Sequence, residues 1–376
     1  MDPVLQQVHA CVLARVPVIL WSPPGEGKTA RVTAYARARS LHLERWLLSR
    51  CEPIDLKPRV YHEGRVVVGE SPEVERLRER GGILFADELN RATREVEGAA
   101  LDLFDNPPAD VAIVSACNPP SRGQAARSLE AAAANRFCHV DVASDPTAWA
   151  DARVSGWRLD SSSFAEPTAE ALESAMRRSA ALVSTFIRAQ PALLNKAPET
   201  PNEAGRPWPS SRTWEYAERL YAMCLALGPA YAGDDTCEGV AMKLIAGCVG
   251  TGPAIEFLRF ARDADLPDPE NILAKPAIFK PDRARIDRTV ATLTGLAACV
   301  ERNFTEARWR AAWAVCAACV EVDQTDAAAM GSTLLVQVYG RVPANVREGA
   351  PSPRELMHKR VAKAFVEVST GAMSRV

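Results

Sequence analysis

A strand, a glycine-containing loop and a helix follow one another near the N-terminus, and this segment constrains the fold more than any other feature. The sequence WSPPGEGKTA at residues 21–30 fits the phosphate-binding pattern G-x-x-x-x-G-K-[ST], except that Ser22 stands where the first glycine is usual. The apolar run PVIL at residues 17–20 predicts a buried strand before the loop, and helical spacing continues after Thr29 to Leu41. We therefore expect a loop that presents backbone N–H groups to a phosphate.

The loop contains the groups that a nucleoside triphosphate and its metal require. Lys28 is predicted to neutralise the β- and γ-phosphates, and the Thr29 hydroxyl to bind Mg²⁺. Because Gly25 and Gly27 keep the positions of close backbone approach, the change at Ser22 is expected to cost little. The candidate nucleotide-binding residues are Ser22, Pro23, Pro24, Gly25, Glu26, Gly27, Lys28 and Thr29. A chance match to a short pattern is the alternative, which the further motifs argue against.

Two acids, Asp87 and Glu88, follow the apolar run ILFA at residues 83–86. A carboxylate at the tip of a buried strand is costly unless a cation meets it. We expect Asp87 to hold Mg²⁺ through water and Glu88 to polarise the water that attacks the γ-phosphate. A strand that ends in a solvated acidic turn is the alternative interpretation.

Two more segments carry polar residues beside strands. The run VAIVSAC at residues 111–117 leads into Asn118, which is predicted to orient the attacking water if its strand lies between those of the loop and of the two acids. Alone, Asn118 and the prolines after it indicate a turn. A helix from Gly123 to about Asn135 and a strand at residues 137–142 are predicted to flank Arg136. With no evident partner in its own chain, Arg136 is a candidate arginine finger for a neighbouring subunit; a solvated arginine at the negative end of a helix is the alternative.

The ordered set of motifs resembles the Walker A, Walker B, sensor-one and arginine-finger elements of an AAA+ ATPase. The phrases DELNRA at residues 87–92 and ANRF at residues 134–137 resemble the MoxR branch in particular. The resemblance is specific from Val4 to Val142, extends more loosely to about Leu225, and departs from the family at Ser22. It implies that ATP and Mg²⁺ are the ligands.

The resemblance also implies an α/β fold class with three parts. These are a P-loop AAA+ parallel-sheet core at residues 1–145, an α-helical lid at 146–228 and an all-helical C-terminal extension at 229–376. Alternation at residues 59–70 predicts a hairpin about a Glu63-Gly64 turn. In the family such a hairpin insert faces the central pore.

A Pro- and Gly-rich loop at residues 191–211 precedes a helix that Ser210 or Ser211 is expected to cap. The resemblance identifies Arg212, in the first turn of this helix, as the sensor-two arginine that extends back to the bound phosphates. A surface arginine at a helix start is the alternative, and the helix dipole disfavours it.

Composition argues against several classes of function. The net charge of −2 gives no global basic field for nucleic acid or an anionic membrane, and the apolar stretches are too short to span a bilayer. The N-terminus lacks a signal-peptide pattern, and ten scattered cysteines suit a reducing compartment, so we expect a cytoplasmic protein. The C-x-x-C pair Cys316 and Cys319 is interpreted as core packing within a helix.

The function that the motifs and the resemblance favour is an ATP-hydrolysing motor of MoxR type. Such a protein is expected to form a ring, taken as a hexamer, and to remodel or mature a protein client in a chaperone-like way. A partner with a von Willebrand factor A domain is implied by the family. One alternative is a nucleic-acid motor of restriction or defence type, against which the near-neutral charge argues. The other is a nucleotide-gated scaffold without turnover, against which Glu88 and Arg136 argue.

Overall fold

The computed structural model describes residues 2–120, 126–143, 145–156, 158–232, 239–264 and 267–362. Two compact units make up the chain: residues 1–172 with 192–256, and residues 173–191 with 257–376. The three-part division at residues 145 and 228 stays a prediction. Among the described helices, none combines the length and the apolar character needed to cross a bilayer.

A parallel sheet forms the centre of the first unit. The strands of this unit are β1 (Val18–Trp21), β2 (Leu43–Leu47), β3 (Arg59–His62), β4 (Arg65–Val68), β5 (Gly82–Asp87), β6 (Val111–Cys117) and β7 (Cys138–Asp141). Five of them pair in the order β2-β5-β6-β1-β7, all parallel. The apolar side chains of β1, β5 and β6 are buried, as expected for a parallel sheet covered on both faces. The α/β fold class is therefore confirmed, and the parallel core is consistent with an AAA+ fold.

The strand order places the carboxyl ends of β1, β5 and β6 side by side. From β1 the chain passes to the far edge at β2, returns through β5 and β6 to lie beside β1, and then adds β7 on the other side. Asn118 follows β6, so its strand lies between the strands of the loop and of the two acids, as predicted. Open α/β sheets bind ligands at the carboxyl ends of the strands, where the winding direction changes.

Helices α1 to α7 and α9 to α12 complete the first unit. They are α1 (Pro3–Ala14), α2 (Lys28–Ala38), α3 (Pro53–Leu56), α4 (Pro72–Arg80), α5 (Arg94–Asp105), α6 (Ala131–Ala134), α7 (Pro146–Ser155), α9 (Pro201–Ala204), α10 (Ser211–Leu227), α11 (Pro229–Ala232) and α12 (Val240–Val249). Ser210 caps α10 through a reciprocal pair of hydrogen bonds with Thr213, which confirms the predicted start of this helix.

The predicted hairpin forms as a separate two-stranded antiparallel sheet of β3 and β4. Its turn residues, Glu63 and Gly64, both have positive φ angles, of 45° and 80°. This is the backbone that a tight two-residue hairpin requires. Tyr61 and Val68 are 77% and 67% exposed, so the hairpin buries little apolar surface in the chain. Its position relative to a pore stays a prediction.

The predicted helix from Gly123 to about Asn135 is wrong in its length. Residues 121–125 lie outside the described residues, residues 126–130 are not helical, and within the described part of this range the helix is α6 alone. The Arg127 N–H donates to the Asn90 carbonyl, and the Arg127 guanidinium donates to the Ala92 carbonyl. Arg127 thus makes hydrogen bonds to the segment after β5 where a helix would have backbone bonds within residues 123–135. Tertiary contacts therefore override the local helix propensity.

The second unit is helical in its described part. Its helices are α8 (Ala169–Ala189), α13 (Thr251–Ala264), α14 (Pro269–Ala274), α15 (Ile286–Arg302), α16 (Glu306–Glu321), α17 (Thr325–Arg341) and α18 (Pro353–Leu356). The borders after residues 172 and 256 fall inside α8 and α13, and the border after residue 191 follows α8. Cys316 and Cys319 are buried in its core, on α16, which confirms the packing interpretation of the C-x-x-C pair.

Candidate nucleotide-binding site

The loop after β1 has the backbone of a phosphate-binding loop. Gly25 and Gly27 have φ angles of 90° and 77°, in the region that favours glycine. A Cβ built on Gly25 meets nothing within 4 Å, so this part of the loop faces open space. No side chain caps the start of α2 at Gly27, which leaves the first N–H groups of this helix for an anion. The loop therefore fits a triphosphate.

Lys28 is surrounded by oxygen atoms of the protein. Its Nζ donates to the Ser22 carbonyl at 2.7 Å, to Ser22 Oγ at 2.9 Å, to Asn118 Oδ1 at 2.9 Å and to the Pro23 carbonyl at 3.3 Å. Burial lowers the pKa of Lys28, and the charge of Asp87 acts in the opposite direction. The ammonium is thus held beside the loop by neutral oxygens, and phosphate oxygens would be stronger partners.

Thr29 and Asp87 form the candidate metal position. The Thr29 hydroxyl donates to Asp87 Oδ2 at 3.3 Å, and the Asp87 carboxylate is buried at the end of β5. A hydroxyl and a carboxylate are the hard oxygen donors that Mg²⁺ takes together with phosphate oxygens. Arg45, on β2, donates to the same Asp87 oxygen at 2.6 Å. Arg45 could not be predicted from the sequence, because only the pairing of β2 with β5 brings it to Asp87.

Glu88 lies at the exposed side of the same edge. Its backbone adopts the left-handed conformation, with φ 57° and ψ 37°, and its carboxylate is engaged at both oxygens. Arg91 donates to Oε1 at 2.9 Å, and the Ser49 hydroxyl donates to Oε2. A carboxylate held in this way is oriented, and each of its oxygens keeps a lone pair that can accept a hydrogen bond from water.

Asn90 links the two segments that carry Glu88 and Asn118, and the sequence analysis did not single it out. Its side chain is fully buried. Asn90 Nδ2 donates to the Asn118 carbonyl at 2.7 Å and to the Arg127 carbonyl at 3.0 Å, and Asn90 Oδ1 accepts from the Asn118 N–H at 3.4 Å. Asn90 therefore fixes the backbone from which the Asn118 side chain meets Lys28.

Arg136 does have a partner in its own chain, so the expectation that it has none is wrong. Its guanidinium donates to both carboxylate oxygens of Asp105, at 2.9 Å and 2.7 Å. Asp105 ends α5, far from Arg136 in sequence but adjacent in the fold. Arg136 comes two residues before β7, whose first residue Cys138 is level with Val18. It thus lies at the amino edge of the sheet, roughly 15 Å along the strands from the level where the phosphate loop begins.

Arg212 lies beside the same aspartate, and the expectation that it extends to the phosphates of its own chain is not met. Arg212 Nη2 is 3.6 Å from Asp105 Oδ1. The start of α10 is held there because Ser210 Oγ donates to Asn135 Oδ1 at 2.7 Å, next to Arg136 in the chain. The structure therefore brings together Lys28, Thr29, Asp87, Glu88 and Asn118 at one edge, and Arg136 with Arg212 at the other. The roles of all these residues stay predictions.

A cavity of about 580 Å³ lies in the first unit, with Asp2, Arg31, Asp141 and Arg206 among its lining residues. Its size is in the range of small-molecule pockets. Arg31 is three residues after Lys28 on α2, and its Nε donates to Asp2 Oδ2 at 2.8 Å. The cavity thus borders α2, the helix that follows the phosphate loop.

Comparison with known proteins adds little to this geometry. No protein-family model matches the sequence, and no curated protein matches it. Among solved structures, the chain is similar to the 2.00 Å crystal structure of a protein from Cytophaga hutchinsonii described as a "putative ATPase". The identity is 17%, the match covers 58% of this chain and 73% of that chain, and the TM-score is 0.39.

Proposed function

We propose that this chain is an AAA+-type ATPase, which converts ATP and water to ADP and phosphate at the carboxyl edge of its sheet. One observation carries the proposal: Lys28, behind a glycine loop that opens to solvent, meets Asn118 at 2.9 Å, while Thr29 beside it meets Asp87 at 3.3 Å. A lysine, a hydroxyl, a carboxylate and an amide from three neighbouring strand ends are the set that phosphoryl transfer needs.

Each residue of this set has a part in the reaction. Lys28 exchanges neutral oxygens for phosphate oxygens, and the start of α2 adds backbone N–H donors. Thr29 and Asp87 would hold magnesium, which when bound supplies a positive charge against the phosphates. Glu88 takes the proton of the attacking water, and Asn118 orients that water beside Lys28. Ser49 and Arg91 hold Glu88 in a fixed orientation, and each of its oxygens keeps a lone pair that can accept from the attacking water.

We further propose, from the resemblance to the MoxR branch, that the active form is a ring, taken as a hexamer. In such a ring Arg136 would complete the site of the neighbouring subunit. Its place at the amino edge of the sheet supports this, because it is remote from the phosphate loop of its own chain. A protein client to be remodelled or matured, and a partner with a von Willebrand factor A domain, are the associated proposals.

Two variants of the site test the ATPase proposal. Lys28→Ala should abolish ATP binding in titration calorimetry, because it removes the charge that offsets the phosphates. Glu88→Gln should bind ATP with near-parental affinity and release phosphate about 10²–10⁴-fold more slowly, the range for loss of a general base. A Lys28→Ala protein that binds ATP as tightly as the parent would contradict the site. Loss of binding in Glu88→Gln would instead make Glu88 a structural or metal-binding residue.

A further inference from the structure

Arg206 stands at the same edge of the sheet as the phosphate loop. Its guanidinium lies over the indole of Trp21, 5.0 Å from the ring centroid, and its Nη2 donates to both carboxylate oxygens of Asp141 at 2.8 Å. Trp21 and Asp141 end β1 and β7 and are level with each other in the sheet. Ser22, the first residue of the phosphate loop, follows Trp21 directly. Arg206 is therefore a cation placed beside the loop from the segment that precedes α10.

The surface beneath Arg206 is fixed and carries no charge. The rings of the buried Trp21 and His139 are nearly parallel, with an interplanar angle of 11°, and Trp21 Nε1 donates to His139 Nδ1 at 3.0 Å. Since Nδ1 accepts that bond, His139 Nε2 carries the proton that it shares with the Ala134 carbonyl at 2.9 Å. Burial lowers the pKa of His139 to about 4, which agrees with a neutral ring. The guanidinium thus rests on an aromatic face that attracts cations.

The ion pair that holds Arg206 is a weak one. The side chains of Arg206 and Asp141 are 40% and 72% exposed. Exposed pairs contribute little, because water screens them. Arg206 and Asp141 also line both the cavity of about 580 Å³ and a second cavity of about 380 Å³ that Trp21 lines as well. An anion that enters beside the loop would meet this guanidinium and compete with a solvated carboxylate for it.

We propose that Arg206 binds the phosphates of the nucleotide held by its own chain, and that Asp141 holds Arg206 when no nucleotide is bound. The inference rests on the proposed function. It assigns phosphate binding to Arg206 in place of Arg212, the residue that the resemblance implies for this role. Arg212 lies with Arg136 at Asp105. A planar guanidinium suits this role because it binds phosphate oxygens through paired N–H donors.

A double-mutant cycle with ATP binding as the readout tests the inference. Arg206→Ala should weaken the calorimetric affinity about tenfold, the effect of one lost hydrogen bond to a charged group. Asp141→Asn should tighten binding in the parent, and should do so much less in the Arg206→Ala background, because its main effect is to release Arg206. The exposed Arg153→Ala is the matched control and should bind ATP like the parent at dilutions where subunits are single.

The outcomes separate the inference from the function on which it rests. Parental affinity in Arg206→Ala, alongside lost binding in Lys28→Ala, would overturn the role of Arg206 and leave the ATPase proposal intact. An equal gain in ATP affinity from Asp141→Asn in both backgrounds would also overturn the role of Arg206. The gain would then come directly from loss of repulsion between the Asp141 carboxylate and the phosphates. A parent that binds no ATP would overturn both. Circular dichroism and thermal unfolding of each variant identify any loss of fold, and Arg206→Lys, which keeps the charge, should recover part of the affinity.

Discussion

Ser22 replaces the first glycine of the phosphate-binding pattern, and its hydroxyl is part of the site. Ser22 Oγ accepts from Lys28 Nζ at 2.9 Å and donates to the Pro23 carbonyl at 3.1 Å. The side chain is buried, so water does not replace it easily. The hydroxyl therefore stabilises Lys28 in its ligand-free position, and a bound phosphate would have to replace this hydrogen bond.

We expect Ser22→Ala to bind ATP more tightly than the parent. In the ligand-free state the variant lacks one hydrogen-bond acceptor for Lys28. In the bound state phosphate oxygens accept from Lys28 in both proteins, so only the ligand-free state loses stability. One hydrogen bond is worth about 0.5–1.5 kcal/mol, which corresponds to roughly two- to tenfold in affinity. Titration calorimetry measures the change. Ser22→Gly, which restores the usual pattern, is the companion variant and should shift affinity in the same direction. Weaker binding by both variants would mean that the hydroxyl contacts the nucleotide.

Among the elements, the turn after β5 is joined to the end of β6 through Asn90. The side-chain amide of Asn90 is buried and donates hydrogen bonds to the Asn118 and Arg127 carbonyls. Asn90→Ala therefore leaves these two carbonyls without their donor. Such a loss costs about 1–3 kcal/mol of unfolding free energy. We also expect turnover to fall more than ATP affinity, because the displaced Asn118 no longer orients water while Lys28 stays in the loop.

Denaturant unfolding and steady-state phosphate release check this prediction. Asn106→Ala is a matched control, since Asn106 is an exposed asparagine at the end of α5. It should change neither quantity by a comparable amount. If Asn90→Ala unfolds and turns over like Asn106→Ala, the link between the two strand ends has no role.

The sequence predicted the elements that depend on neighbouring residues. The strand, loop and helix around Lys28 are adjacent in the chain, and the Glu63-Gly64 turn specifies its hairpin locally. Strand ends that carry Asp87 and Asn118 were predictable because parallel strands share an edge. By contrast, Arg136 meets Asp105 across 31 residues, and Arg127 binds the turn after β5 in place of a helical bond. The first contact depends on where α5 ends in space and the second on where the turn after β5 lies, and hydrophobic periodicity reveals neither.

At the scale of the whole molecule, the two edges of the sheet carry different groups of charged residues. The carboxyl edge holds Lys28 and Asp87, and the amino edge holds Arg136 and Arg212 around Asp105. A phosphate loop of one subunit and an arginine pair of the next would meet only in a head-to-tail assembly, and such contacts close into rings when the rotation permits. In that assembly Asp105 is a resting partner for Arg136, as Asp141 is for Arg206.

The last prediction distinguishes an arginine that acts between subunits from one that only stabilises its own chain. Arg136→Ala should leave ATP binding by dilute single subunits nearly intact and reduce turnover by several powers of ten, as for other arginine fingers. Mixing it with Lys28→Ala should restore part of the activity, because mixed rings contain interfaces where an intact Lys28 site faces an intact Arg136. The specific activity of the parent should also rise with protein concentration as rings form, which phosphate release and light scattering record together. If Arg136 serves only its ion pair with Asp105, then Arg136→Ala and Asp105→Asn would lower the melting temperature alike, turnover would follow the folded fraction, and mixing would restore nothing.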